Sequence, residues 1–235
     1  MNAARLLRDL LFPPRARCPG CGDLRGTDDG WLCRDCAAQY APEYACERDE
    51  WRPGVGVTAT YSALRYDAVA RGLIHSFKFR CERRLAGRMA DEMAALYRAL
   101  CPSPPDCLAP VPLSRARMRE RGFNQAALLA AHLSDRIGVP VNDCLARTRD
   151  TPRQSRLTGG ARRENLAGAF GCRGEVAGLR VMLVDDVITS GETVRHCAIA
   201  LRAAGAADVA AISLARARLP GSDAAAKSGE GAVKK

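Results

Sequence analysis

The chain has 235 residues, 47% of them apolar, and a formal net charge of +10, which is enough for one full domain plus a small one and excludes a chain too polar to fold. Only four of the 36 basic residues are lysine (Lys78, Lys227, Lys234 and Lys235), so the charge reflects an arginine-rich composition as much as a polyanion-binding surface. No apolar run approaches the ~20 residues of a membrane helix, so no membrane insertion is predicted.

Residues 1–12 place Leu6, Leu7, Leu10 and Leu11 on one face of a short helix. Arg5, Arg8 and Asp9 interrupt the apolar stretch and no small-residue cleavage site follows, so it does not read as a signal peptide and a cytoplasmic location is expected. Cys18, Cys21, Cys33 and Cys36 then form two CxxC pairs. Each pair can direct two thiolates at one metal from a tight turn, and four thiolates suit a tetrahedral Zn2+. Such a site is structural, because no coordination position is left for a catalytic water. Disulfides are the competing reading, disfavoured in the cytoplasm. Cys46 and the six later cysteines are scattered and read as ordinary buried residues.

Pro42–Gly56 reads as a linker punctuated by Pro53 and Gly54. The expected division is therefore 1–50 for the N-terminal helix and zinc ribbon, 55–218 for a second domain, and 219–235 for a disordered tail rich in Ala, Gly, Ser and Lys. Within the second domain, 57–66 has strand composition, 67–79 and 85–100 have helical apolar spacing, and 107–113 reads as a strand ending near Pro112. Arg115, Arg117, Arg119 and Arg121 crowd the approach to a helix predicted from about Asn124 to Ile137, a cluster suited to bidentate phosphate contacts. A solvated charged face is the competing reading. Val139–Leu145 reads as a strand, and Arg147–Phe170 as a long polar loop whose Arg153, Arg156, Arg162 and Arg163 could close over a polyphosphate.

The most informative stretch is 181–194, VMLVDDVITSGETV. Val181–Val184 is a short apolar run fit for a buried parallel strand, Asp185 and Asp186 mark its expected exit from the core, and a helix is predicted over 194–204. Between them, Thr189, Ser190, Gly191, Glu192 and Thr193 form a hydroxyl-rich loop. Backbone N–H groups and hydroxyls converging ahead of a helix suit a phosphate monoester, and two carboxylates at a strand end suit vicinal hydroxyls. Together they describe a site for a ribose 5′-phosphate, although each piece alone could be a solvated strand end or an ordinary helix cap.

This stretch resembles the phosphoribosyl-pyrophosphate (PRPP) motif of type I phosphoribosyltransferases. The order of motifs narrows the likeness: paired CxxC, then HSFKFR, PVPLSRARMRERGFNQ, an RTRDTPRQ block with RRENLAGAF, and VDDVITSGET resemble the ComF family, which includes ComFC and GntX-like proteins. The resemblance implies an α/β, parallel-sheet type I phosphoribosyltransferase fold behind a small N-terminal zinc ribbon, and a link to DNA uptake and natural transformation. It also implies PRPP as ligand with Mg2+. Asp185 and Asp186 would be the catalytic pair. Thr189, Ser190, Gly191, Glu192, Thr193, Arg119, Arg121 and Arg162 would hold PRPP. Three functions stay open at this point: a PRPP-dependent transferase with an unspecified acceptor, a single-stranded DNA binding protein working with other competence proteins, and a regulatory protein that kept the fold without turnover.

Overall fold

The computed structural model describes residues 17–23, 31–48, 56–80, 82–148 and 168–217. The predicted N-terminal helix, Arg162 and its neighbouring arginines, and the tail lie outside them. The ordered elements are α1 (Arg34–Gln39), β1 (Ala45–Arg48), β2 (Ala59–Arg65), α2 (Ala68–Phe79), α3 (Leu85–Leu100), β3 (Cys107–Pro110), α4 (Arg115–Arg121), α5 (Gln125–Ile137), β4 (Leu145–Arg147), β5 (Phe170–Cys172), β6 (Arg180–Ile188), α6 (Glu192–Ala203) and β7 (Asp208–Arg216). Among the described residues, no helix is long and apolar enough to cross a membrane.

Five strands form one sheet in the order β1-β2-β7-β6-β3. Its β2–β7, β7–β6 and β6–β3 pairs are parallel and only β1 is antiparallel. A parallel sheet needs cover on both faces, and the alternation along β6 supplies an apolar surface to each. Met182 and Val184 join a core with Leu73, Phe77, Met89 and Leu129 from α2, α3 and α5. Val181 and Leu183 join a second core with Val194, Cys197 and Leu201 of α6 and with Leu145 and Phe170. Fully burying each of these large side chains contributes about 1.5–3 kcal/mol. The polar pair Ser62 and Ser213, facing each other in register across β2 and β7, is buried but mutually hydrogen-bonded at 2.9 Å, which removes the cost of an orphaned hydroxyl.

Local chemistry sets the helix ends. Asp67 accepts from the Ala70 N–H at 2.8 Å to start α2, and Asn124 accepts from the Ala126 N–H at 3.0 Å to start α5, both ordinary N-caps. Gly122 and Gly138 close α4 and α5 at φ of 75° and 72°, a conformation that costs glycine little.

Three expectations are corrected here. The predicted linker contains β1, a four-residue edge strand on β2; short, charged edge strands carry too little apolar pattern to register as strands. The strand predicted over 139–145 is a single bridge between Val141 and Leu108, because Pro140 has no N–H to continue a ladder. The ordered strand begins only at Leu145, and it pairs antiparallel with β5, so the two ends of the long polar loop are joined as a ribbon. Finally, β6 does not end at the acidic pair but runs on to Ile188.

Candidate functional site

The site follows from unequal strand lengths. In the β3–β6 register Pro110 stands beside Val184, where β3 stops, and Val111 still donates to the Val184 carbonyl at 3.0 Å. Residues 185–188 of β6 continue beyond it, held on the other side by β7. The flank of β6 next to β3 is therefore left without a partner strand, and the Asp186 N–H that points there is satisfied by Asp185 Oδ1 at 2.9 Å. Crevices beyond the carboxyl ends of parallel strands are where open α/β sheets bind ligands.

A cavity of about 720 Å³ fills this crevice. Asp185 and Asp186 both line it, with Thr189 and Thr193 at the start of α6 and Lys78 of α2. Because β6 stays extended through the acidic pair, the two carboxylates leave it on opposite faces. Asp186 is 4% exposed, and its Oδ2 lies 2.8 Å from Lys78 Nζ. Asp185 keeps some exposed surface, and its charge acts on the buried Cys197 of α6 on the other face. Burial, then the neighbouring Asp186 charge, push the Asp185 pKa up to about 8, against the pull of Lys78.

Arginines line the same cavity. Ser114 caps α4 by accepting from the Arg117 N–H at 3.3 Å, and the helical period then places Arg117 and Arg121 on one face and Arg115 and Arg119 on another. Arg117 and Arg121 line the cavity, whereas Arg115 and Arg119 are exposed. Arg121 donates to Oε1 of the buried Gln125 at 2.9 Å, and burial lowers its pKa. Of the residues singled out in the sequence, Asp185, Asp186, Thr189, Thr193 and Arg121 thus share one cavity. Ser190, Gly191, Glu192 and Arg119 do not line it. Glu192 lies along its own helix, accepting from Arg195 at 3.2 Å and standing 3.8 Å from His196 Nε2; Gly191 caps α6 at φ +75°. Arg117, which the sequence places in the arginine cluster but not among the PRPP-binding residues, lines the cavity as well, together with Lys78 and Gln125, which the sequence did not single out as ligands.

A second constellation sits at the N-terminus. The Sγ atoms of Cys18, Cys21, Cys33 and Cys36 all lie within 4.8 Å of one another, and those of Cys21 and Cys33 are 3.9 Å apart. Sulfurs at about 2.3 Å from a shared tetrahedral zinc stand roughly 3.8 Å from each other, so the donor set fits such an ion. The Cys33 N–H donates to Cys18 Sγ at 3.2 Å. Burial raises the Cys18 pKa, but N–H groups of Cys33, Cys21 and Gly20 outweigh it and bring the thiol down to about 7; burial and the other thiols push Cys36 well up. Four thiolates can coexist here only around a cation. The cluster can bind a metal ion.

Residues 124–228 match the phosphoribosyl transferase domain family. The chain is 39% identical over 117 residues to competence protein F of Haemophilus influenzae, covering 48% of this chain and 51% of that protein. It is 35% identical over 204 residues to the DNA utilization protein YhgH of Salmonella typhi, covering 85% of this chain and 83% of that protein. Over 216 residues it is 29% identical to competence protein ComFC of Bacillus subtilis, covering 88% and 87%. With about a third of the aligned residues identical along most of a relative's length, a phosphoribosyl transferase match that takes in Asp185, Asp186, Thr189 and Thr193, and four clustered cysteines ahead of it, the chain belongs to the ComF family.

Proposed function

We propose that the cavity binds PRPP and that the protein acts in DNA uptake or utilization, as the names of its relatives suggest. The observation that carries the ligand is the pairing of chemistries in one crevice: two carboxylates on β6, hydroxyls of Thr189 and Thr193 at a helix start, and the guanidiniums of Arg117 and Arg121. The carboxylates accept hydrogen bonds from the vicinal ribose hydroxyls. Thr193 and the α6 N-terminus receive the 5′-phosphate. Arg117 and Arg121 receive the pyrophosphate, where bidentate guanidinium contacts are strongest. The oxygen donors of Asp185 and Asp186 fit Mg2+, which when bound would offset the charge of the pyrophosphate. Zn2+ is the proposed occupant of the four-cysteine cluster.

If the ligand is turned over, an acceptor nucleophile forms a bond to C1 of the ribose as the bond between C1 and the pyrophosphate oxygen breaks, pyrophosphate leaves with the bonding electrons, and the two arginines stabilise its charge. One such preorganised donor is worth on the order of 3 kcal/mol in other systems. Titration calorimetry with PRPP and Mg2+ tests the reading. Saturable one-to-one binding is expected, lost in the Asp185→Asn, Asp186→Asn double variant with its circular dichroism unchanged. Absence of binding to the folded, metal-loaded chain would overturn it.

One observation favours nucleic acid as a second ligand. Phe79, at the end of α2, is 50% exposed, with the His75 ring at 5.0 Å and the Arg121 guanidinium 5.1 Å from its centroid. An exposed aromatic beside a guanidinium is an arrangement on which single-stranded bases stack.

A further inference from the structure

The described part of the cysteine knuckle does not stand apart from the cavity; it is packed onto α2, the helix that carries Lys78. Two α2 residues one turn apart make the contact. Gly72 lies so close to the knuckle that a Cβ there would fall inside the Gly20 carbonyl oxygen. Ser76, 1% exposed, donates its hydroxyl to the Pro19 carbonyl at 3.0 Å. Cys18, Cys33, Cys36 and Leu32 belong to the same apolar core as Leu73 and Phe77 of α2.

Gly72 and Ser76 share one face of α2, while Ile74 and Lys78, also four apart, lie on the opposite side. The helix thus carries the knuckle on one side and, on the other, Lys78 reaching β6, with Leu73 and Phe77 sharing a core with Met182 and Val184 of that strand. Its last turn places Lys78 on Asp186. Gly72 and Lys78 are six residues apart, only about 9 Å along the helix axis.

We propose that the metal-bound knuckle is part of the support of the cavity: through Gly72 and Ser76 it fixes α2 against the sheet and so keeps Lys78 on Asp186. Gly72 and Ser76 are positioning residues, acting through Lys78 rather than on the ligand. Metal loading and ligand affinity are then linked, because a helix free to shift by part of a turn no longer delivers the cation to β6. For its ligand, this inference rests on the PRPP reading.

Two measurements separate the inference from that reading. The first uses no PRPP: hydrogen exchange of the full chain, metal-loaded and after chelation. Stripping is expected to abolish protection over Leu73–Phe79 while β6 and β7 keep theirs. Equal protection of α2 in both states overturns the proposal. So does loss throughout the sheet, since the metal would then hold the whole domain rather than one helix. The second is calorimetry with PRPP and Mg2+ on wild type, Gly72→Ala and the milder Ser76→Ala. Gly72→Ala is expected to keep one metal per chain yet bind about tenfold more weakly, within the range that packed networks transmit, with Ser76→Ala between. Wild-type affinity in Gly72→Ala and in stripped protein overturns the coupling and leaves the PRPP reading standing. A metal-loaded wild type that ignores PRPP, while stripping still loosens α2, sinks that reading and supports the coupling.

Discussion

Lys78 Nζ meets Asp186 Oδ2 at 2.8 Å, joining the end of α2 to β6 at the cavity, with side chains 15% and 5% exposed. The pair is nearly buried, so its worth lies less in net attraction than in what happens when half of it is removed. Lys78→Met leaves a carboxylate in a low-dielectric site without its cation and is expected to destabilise the fold by about 3–5 kcal/mol. The Lys78→Met, Asp186→Asn double variant, which removes both charges, should recover most of that loss in urea unfolding. Equal losses for the single and the double variant would show that Lys78 contributes through packing instead.

Asp185 predicts the pH dependence. Its pKa is raised from 3.8 to about 8, first by burial and then by Asp186. The folded chain therefore keeps a proton that the unfolded chain gives up near pH 4. The stability this proton contributes is complete below that pH and is lost as the pH climbs through about 8. Asp185→Asn removes the term. Its unfolding free energy should fall less steeply than wild type between roughly pH 5 and pH 8, by at most about 1.4 kcal/mol per pH unit. Identical slopes in the two proteins would contradict the assignment.

What the sequence revealed of this site divides by distance along the chain. Cys18, Cys21, Cys33 and Cys36 announce themselves because metal geometry is encoded in local spacing, and the 181–194 stretch does so because strand, loop and helix start are contiguous. Lys78 is a single residue more than a hundred positions from Asp186, and nothing local marks it as its partner. Arg117 and Arg119 are told apart only by the helix over Arg115–Arg121, whose four-residue period pairs Arg117 with Arg121 and turns Arg119 away. The length of β6 was hidden because two carboxylates in a row look like the end of a buried strand. They are tolerated inside it only because β3 stops at Pro110 and opens one flank to the cavity.

The cysteine cluster makes a stoichiometric prediction. Purified chain should carry one zinc equivalent, released in full by a thiol-modifying reagent. Cys33→Ser, which also removes the sulfur facing Cys21 at 3.9 Å, should carry none. Because Leu32 and the cysteines are built into the core beneath α2, the metal-free variant should also melt earlier, by about 2–4 °C for each kcal/mol lost in a chain of this size. Unchanged melting with the metal gone would mean that the knuckle is only appended to the core.

Phe79 separates stacking from charge in nucleic acid binding. Its ring is half exposed between His75 and Arg121, and Arg80 follows it with its guanidinium beside Gly22 of the knuckle. A base laid on the ring gains contact that does not depend on salt, whereas a phosphate held by Arg80 releases counterions. Phe79→Ala should weaken binding of a single-stranded oligonucleotide by about 1–3 kcal/mol and leave the slope of log affinity against log salt unchanged. Arg80→Ala should instead lower the magnitude of that slope by about 0.7. Fluorescence anisotropy across a salt series reads both. If both variants bind like wild type, the strand follows another path across the protein and the exposed ring serves some other contact.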